Sequence, residues 1–140
     1  MPMRQGVQRT QSVPSEPRHL GILLISGDFD RAHYAFVLAT GAAALGRDVT
    51  LFATNQGCHA LLADWSGLTG AGQDAVLTAR GVAGLDVLRE AATELGIRMI
   101  ACEAGLRGAA LEGLALLPGV EVAGVATFLA AVGDGQFLSL

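Results

Sequence analysis

Two cysteines are the residues of this chain best suited to chemistry, and Cys102 is the stronger candidate. Cys102 ends a short apolar run, residues 99–102, which is typical of a buried strand. The Ala-, Leu- and Gly-rich sequence after it predicts a helix. In open α/β sheets, ligands and reacting groups collect where strands end. A thiol there lies at a pocket edge, near backbone N–H groups that favour the thiolate.

The neighbours of Cys102 affect the reactivity of its thiol. Glu103 is the next residue, and an adjacent carboxylate disfavours a thiolate. Arg107 lies four residues after Glu103, where a helix would turn its guanidinium back toward the site and offset that charge. The alternative is an inert, buried cysteine that behaves as a small apolar residue. Both interpretations fit the sequence.

Cys58 is the second candidate thiol. Gly57 before it and a predicted helix after it place it at a helix N-terminus, a position that lowers the pKa of a thiol. There it could form a mixed disulfide or an internal one, and the alternative is a packing role. His59 could tune Cys58, but this Cys-His pair and one distant cysteine lack the spacing of a metal site. We therefore predict no metal.

The hydrophobic pattern predicts the elements that must position these residues. Strands are predicted at residues 20–26, 48–54, 99–102, 120–123 and 136–140. Helices are predicted at residues 32–45, 60–65, 84–95, 104–117 (broken near Gly113) and 124–132. Residues 66–82 read as an irregular excursion with one helical turn at 74–78, long enough to act as a lid. This alternation predicts a three-layer α/β/α fold with a five-stranded parallel sheet.

Parallel strands end at one edge of a sheet, so the first three strand exits should meet. In addition to the two catalytic candidates, Cys102 and Cys58, we expect this edge to be lined by Gly27, Asp28, Asn55, Gly57, His59 and Glu103. For Asp28, capping of the helix that follows is the alternative role.

Composition bounds the domain organisation and the compartment. Residues 1–19 are polar and without periodicity, which predicts a disordered tail before a domain at residues 20–140. No signal peptide is visible, and two cysteines do not make a disulfide framework. We expect a cytoplasmic protein, in which a thiol stays available. Hydrophobic residues make up 51% and charged residues 16% of the chain, a surplus that favours a homo-oligomer.

Several function classes are disfavoured. The net charge of −4 argues against nucleic acid as the main partner, and no apolar run has the length of a membrane span. All nine basic residues are arginine, so Schiff-base chemistry and a P-loop lysine are absent. The chain also lacks the glycine-rich dinucleotide fingerprint and the Gly-x-Ser-x-Gly elbow of hydrolases.

Five stretches in order resemble the DsrE/DsrF/TusD-like family, in particular the DsrE-like subgroup often labelled predicted peroxiredoxin. They span residues 26–32, 40–46, 48–52, 96–102 and 119–129. The resemblance implies a five-stranded parallel α/β/α domain that forms oligomers and works in sulfur trafficking without a cofactor. It places the family's persulfide-carrying cysteine on Cys102, with rhodanese-like or TusA-like relay proteins as donor or acceptor. The family often has an aromatic pair where this chain has Asn55-Gln56 and then Cys58, which suggests Cys58 as a resolving thiol.

The sequence therefore predicts a sulfur carrier or sulfurtransferase-like protein with a persulfide on Cys102. A second hypothesis is a regulatory or small-molecule-binding oligomeric subunit, whose pocket at the strand ends binds without reacting. A third is an interaction protein built mainly to assemble through the apolar helix at residues 35–45.

Overall fold

Five parallel strands form the centre of the computed structural model, which describes residues 18–140. Their order across the sheet is β4-β3-β2-β1-β5. The strands are β1 (Leu20–Leu24), β2 (Val49–Ala53), β3 (Arg98–Cys102), β4 (Glu121–Ala123) and β5 (Gln136–Ser139). This sheet confirms the predicted fold class, and the central strands β1 and β2 are mostly buried, as expected for a parallel sheet covered on both faces.

Within residues 18–140, five α-helices and one 3₁₀ helix connect the strands. They are α1 (Phe29–Ala44), the 3₁₀ helix (Asn55–Leu61), α2 (Gln73–Ala79), α3 (Leu85–Glu94), α4 (Glu103–Gly108) and α5 (Val125–Val132). The larger part of the core lies on the side of α1 and α3, where Phe36 and Ala39 of α1 pack on the sheet. On the opposite face, α5 is the helix that packs on the sheet within residues 18–140, with Phe128 stacked on Phe52 at a ring separation of 4.9 Å.

Two predicted helices were wrong in their bounds. The helix predicted at residues 60–65 is a 3₁₀ helix that begins at Asn55 and ends at Leu61. The helix predicted at residues 104–117 ends at Gly108. The chain beyond it runs antiparallel to residues 61–63, with the Leu117 N–H donating to the Leu61 carbonyl at 2.9 Å. This tertiary pairing replaces the helical hydrogen bonds that the local sequence favours.

The predicted excursion at residues 66–82 contacts the exit of β1. The Phe29 N–H donates to the Thr69 carbonyl, and the Thr69 N–H donates to the Gly27 carbonyl, both at 2.8 Å. The helical turn expected at residues 74–78 is α2, and its Asp74 carboxylate accepts the Leu85 N–H at the start of α3. The excursion is therefore attached at both ends to elements that carry the strand exits.

The predicted tail, residues 1–19, lies outside the described residues except for its last two. Arg18 donates to the Asp134 carbonyl at 3.1 Å, and His19 shares a 2.8 Å hydrogen bond with the Thr50 hydroxyl. Within residues 18–140, no helix is long and apolar enough to cross a membrane.

Candidate functional site

Three glycines let the first three strand exits approach one another closely. A Cβ on Gly27 would overlap Gln56, and a Cβ on Gly57 would overlap the Leu24 carbonyl. A Cβ on Gly105 would overlap the Thr54 hydroxyl and the Asn55 backbone N. The loops after β1 and β2 and the first turn of α4 are therefore in contact only because these positions lack side chains.

Cys102 lies at this junction, as the last residue of β3 and the N-cap of α4. Its sulfur accepts a hydrogen bond from the Gly105 N–H at 3.3 Å. The side chain packs on the α5 side of the sheet with Phe52, Ile100 and Phe128. The residue is 8% exposed, so a small part of it reaches solvent. The site thus presents a mostly covered sulfur with one backbone donor.

Cys58 is near Cys102 but in a different environment. It is fully buried within the core on the α1 side, and its thiol donates to the Ala53 carbonyl at 3.5 Å. Burial and, to a smaller extent, the charge of Cys102 raise the pKa of the Cys58 thiol to about 11. The Cys102 backbone N–H lowers this pKa by a smaller amount. Cys58 lies inside the 3₁₀ helix rather than at a helix N-terminus, so it lacks the N-terminal position that lowers the pKa of a thiol. With a pKa of about 11, its thiol is neutral at physiological pH.

The carboxylate beside Cys102 has a counter-ion. Glu103 and Arg107 form an ion pair across one turn of α4, with 3.7 Å between Oε2 and Nη1. Both side chains are exposed, so the interaction is weak, yet it brings a positive charge beside Glu103 as the sequence suggested.

The remaining predicted site residues divide between two places. Asn55 lies at the junction, in a left-handed backbone conformation with φ of 53°, next to the position of Gly105. Asp28 is the N-cap residue of α1 but makes no side-chain capping bond, and it is exposed near the same edge. His59 faces a separate cavity of about 370 Å³, which it lines with Leu62, Asp64, Ser66 and Leu114. Its Nδ1 atom is buried without a hydrogen-bond partner.

The topological switch point of the sheet lies elsewhere. Strand order reverses between β1 and β5, and a cavity of about 330 Å³ beyond their ends is lined by Ile25, Ser26, Arg31, Ser139 and Leu140. Cys102 is two strands away on β3.

Across residues 18–140, no three His, Cys, Asp or Glu side chains are grouped so that they could hold a metal ion.

Comparison with known proteins places this geometry in a family. The uncharacterised protein YrkE of Bacillus subtilis is 32% identical over 146 residues, which cover 82% of this chain and 91% of that protein. Residues 16–69 match the DsrE/DsrF/DrsH-like family. The chain belongs to this DsrE-like family. The sulfur carrier protein DsrE2 of Allochromatium vinosum is 29% identical over 153 residues, which cover 86% of this chain and 96% of that protein.

Two solved structures share the DsrE-like fold of this chain. The YchN protein of Escherichia coli superposes with a TM-score of 0.65 at 15% identity. The protein of unknown function MTH1491 of Methanobacterium thermoautotrophicum gives a TM-score of 0.54 at 19% identity. Each comparison covers 88% of this chain and 99% of the other. At these identities the likeness concerns the fold alone.

Two residues of this DsrE-like site were missed by sequence reasoning. Gly105 falls inside a predicted helix, where a glycine costs helix stability and can indicate a packing constraint. Arg89 lies in an amphipathic pattern that suggests an exposed side chain, yet it is buried. Its guanidinium donates to the carbonyls of Ala60, Leu62 and Ala63, at 3.1, 2.5 and 3.2 Å. Arg89 therefore holds the segment that follows Cys58, and no local pattern encodes this role.

Proposed function

We propose that this DsrE-like protein is a sulfur carrier that holds a persulfide on Cys102. The observation that carries the proposal is the position of the Cys102 sulfur, at the junction of three strand exits with a backbone N–H donor 3.3 Å away. A relative named as a sulfur carrier, matched over most of both chains, supports the same function.

The transfer needs only thiol exchange. The Cys102 thiolate attacks the outer sulfur of a donor persulfide, and the donor leaves as a thiolate. An acceptor thiolate then attacks the outer sulfur now on Cys102, and Cys102 returns to its thiolate. Donor and acceptor are relay proteins with exposed thiols, such as rhodanese-like or TusA-like proteins, in a reducing compartment such as the cytoplasm. No cofactor takes part in either step.

Loading with inorganic polysulfide, followed by mass spectrometry of intact protein and peptides, tests the carrier role. We expect one additional sulfur atom on Cys102 and none on Cys58, because only Cys102 reaches solvent. Cys102→Ser should not load, whereas Cys58→Ser, the matched control with the other thiol removed, should load as the wild type does. An unmodified Cys102 in the wild type would rule out the carrier role.

A non-catalytic, small-molecule-binding or regulatory subunit is the second candidate. Both thiols are largely covered, while the cavity beside His59 is open and large enough for a small ligand, which favours this alternative. It predicts a protein that fails to load sulfur and in which filling the cavity with Ala115→Leu, at a lining residue, abolishes a ligand-induced rise in melting temperature.

We also propose that the protein is a homo-oligomer, assembled through the sheet face that carries α5. The short helix α5 lies on this face, and its Val125 and Leu129 are 54% and 52% exposed. Phe137 of β5 is exposed on the same face, in edge-on contact with Phe128. A second copy would cover these apolar side chains.

A further inference from the structure

The thiol of Cys58 lies where the two central strands end. It donates a hydrogen bond to the carbonyl of Ala53, the last residue of β2. The backbone N–H of Cys102, the last residue of β3, lies close enough to this thiol to lower its pKa. The strands are in register there, with Ala53 paired to Ala101. One buried side chain therefore meets the final peptide groups of both strands.

The segment that carries Cys58 has little room to move. The Gly57 N–H donates to the Ile25 carbonyl at 2.9 Å and the Thr54 carbonyl at 3.0 Å, and a side chain on Gly57 would overlap the Leu24 carbonyl. After Cys58, the buried guanidinium of Arg89 holds the Ala60 carbonyl at 3.1 Å. The segment is fixed on both sides of the thiol, so a swing of Cys58 toward solvent would break several contacts.

The two thiols also belong to different packing clusters. Cys58 packs with the apolar side chains on the α1 side, and Cys102 packs with Phe52, Ile100 and Phe128 on the α5 side. A disulfide demands a specific separation and orientation of the two Cβ atoms. The two side chains pack in different clusters, and Cys58 is fully buried in its own, which disfavours a bond between the two sulfurs.

We propose that Cys58 is a positioning residue, which holds the ends of β2 and β3 together beneath Cys102 and takes no part in sulfur exchange. The consequence for the persulfide rests on the proposed carrier function. An exchanging Cys58 thiolate would attack the inner sulfur of the Cys102 persulfide, form a Cys58–Cys102 disulfide and release the outer sulfur as hydrosulfide. A buried, protonated Cys58 removes the nucleophile for this reaction, so the sulfur stays until an acceptor thiol arrives.

Three variants and one reagent test the positioning role. The second-order rate of Cys102 alkylation by iodoacetamide is measured at pH 7.5 by site-resolved mass spectrometry, together with the melting temperature. Cys58→Ser keeps a hydrogen-bond donor and acceptor, and Cys58→Ala removes both. Val49→Ala is the matched control, because it truncates a buried side chain at the opposite end of β2. A parallel sample of polysulfide-treated wild type is analysed for hydrosulfide release and for an internal disulfide.

We expect Cys58→Ser to alkylate within about twofold of the wild type and Cys58→Ala to be about fivefold slower, the effect of one lost hydrogen bond. Val49→Ala should lose melting temperature with an unchanged rate. The positioning role is overturned if Cys58→Ala alkylates as the wild type does, if Cys58→Ser is as slow as Cys58→Ala, or if Val49→Ala slows equally. A Cys58–Cys102 disulfide with hydrosulfide release would overturn it by making Cys58 the resolving thiol. Failure to load sulfur would contradict the carrier function but not the positioning role, because the alkylation rate does not depend on sulfur loading.

Discussion

At the scale of single residues, what surrounds a sulfur atom decides what it can do. Cys58 and Cys102 have the same side chain, and they lie at the ends of neighbouring strands, Cys58 shortly after β2 and Cys102 as the last residue of β3. Cys58 meets apolar side chains and a carbonyl acceptor, which favour the neutral thiol. Cys102 meets a backbone N–H donor and reaches solvent in part. The sequence placed both residues near one edge but could not show on which side of the sheet each would pack.

The raised pKa of Cys58 predicts a loss of stability at alkaline pH. Below pH 9 both the folded and the unfolded chain hold this proton, so the contribution of the protonated thiol is fully present. Between the ordinary pKa of 9.0 and the folded pKa of about 11, only the unfolded chain releases the proton. The free energy of unfolding should therefore fall by about 2 to 3 kcal/mol over this range. Urea titrations at several pH values measure the fall, and Cys58→Ala should lack it. An equal fall in both proteins would contradict the assignment.

Gly105 is the residue at which a single methyl group should disturb the site most. A Cβ there would overlap the Thr54 hydroxyl and the Asn55 backbone, so α4 would have to move away from the exit of β2. We expect Gly105→Ala to lower the free energy of unfolding by about 1 to 3 kcal/mol, as overpacking does. It should also change the alkylation rate of Cys102, whose sulfur accepts the Gly105 N–H.

Gly108→Ala is the matched control for this substitution, because an added Cβ at Gly108 has no neighbour within 4 Å. At the end of the same helix it should be neutral or slightly stabilising. Chemical denaturation and iodoacetamide labelling of both variants measure the difference. Similar behaviour of the two variants would show that α4 can shift without cost.

At the scale of elements, hydrophobic patterns predicted the strands and helices that depend mainly on local sequence. Leu20–Leu24 lies in a continuous apolar run and Val49–Ala53 is apolar except at Thr50, and both are buried strands of the sheet. α1 is also where its pattern placed it, although it begins three residues earlier, at Phe29. The failures follow from tertiary contacts: residues 115–117 pair with residues 61–63 and cannot be helical. The same holds for the candidate site: the strand ends could be predicted from local sequence, whereas the contacts of Gly105 and Arg89 depend on tertiary packing and could not.

Arg89 is the residue that joins α3 to the segment after Cys58. Its guanidinium satisfies three backbone carbonyls, and Asp86 lies 3.8 Å from Nη2 while accepting the Trp65 indole N–H. Replacing it by Met would leave buried carbonyls without donors. We expect Arg89→Met to cost roughly 2 to 4 kcal/mol of unfolding free energy.

Arg89→Lys should recover only part of this loss, because an ammonium group lacks the planar fork that reaches several carbonyls. Glu90→Gln, on the exposed face of the same helix, is the control and should stay within about 0.5 kcal/mol of the wild type. Urea unfolding monitored by Trp65 fluorescence measures all three. A wild-type-like Arg89→Met would show that other groups or water satisfy these carbonyls.

At the scale of the whole molecule, the apolar surplus is spread unevenly over the surface. The sequence pointed to residues 35–45 of α1 as a surface for another subunit. In the structure Ala35, Phe36 and Ala39 are fully buried in the molecule's own core, and the large apolar side chains exposed on α5 are Val125 and Leu129. The composition therefore indicated the surplus correctly, but only the packing of α1 and α5 on opposite faces shows where it is exposed. Assembly through the α1 face and assembly through the α5 face can be distinguished by mutation.

Leu129→Glu distinguishes the two faces. If copies assemble through the α5 face, a charge at Leu129 must be buried without a partner, and such burial costs several kcal/mol. We expect the variant to elute as a monomer in size-exclusion chromatography with light scattering, at a concentration where the wild type is oligomeric. Leu45→Glu is the control, because Leu45 at the end of α1 is 81% exposed and lies on the other face. It should leave the assembly unchanged. If Leu45→Glu, and not Leu129→Glu, gives a monomer, the interface lies on α1. A monomeric wild type would contradict the proposed oligomer, whereas the carrier function of Cys102 is tested separately by sulfur loading.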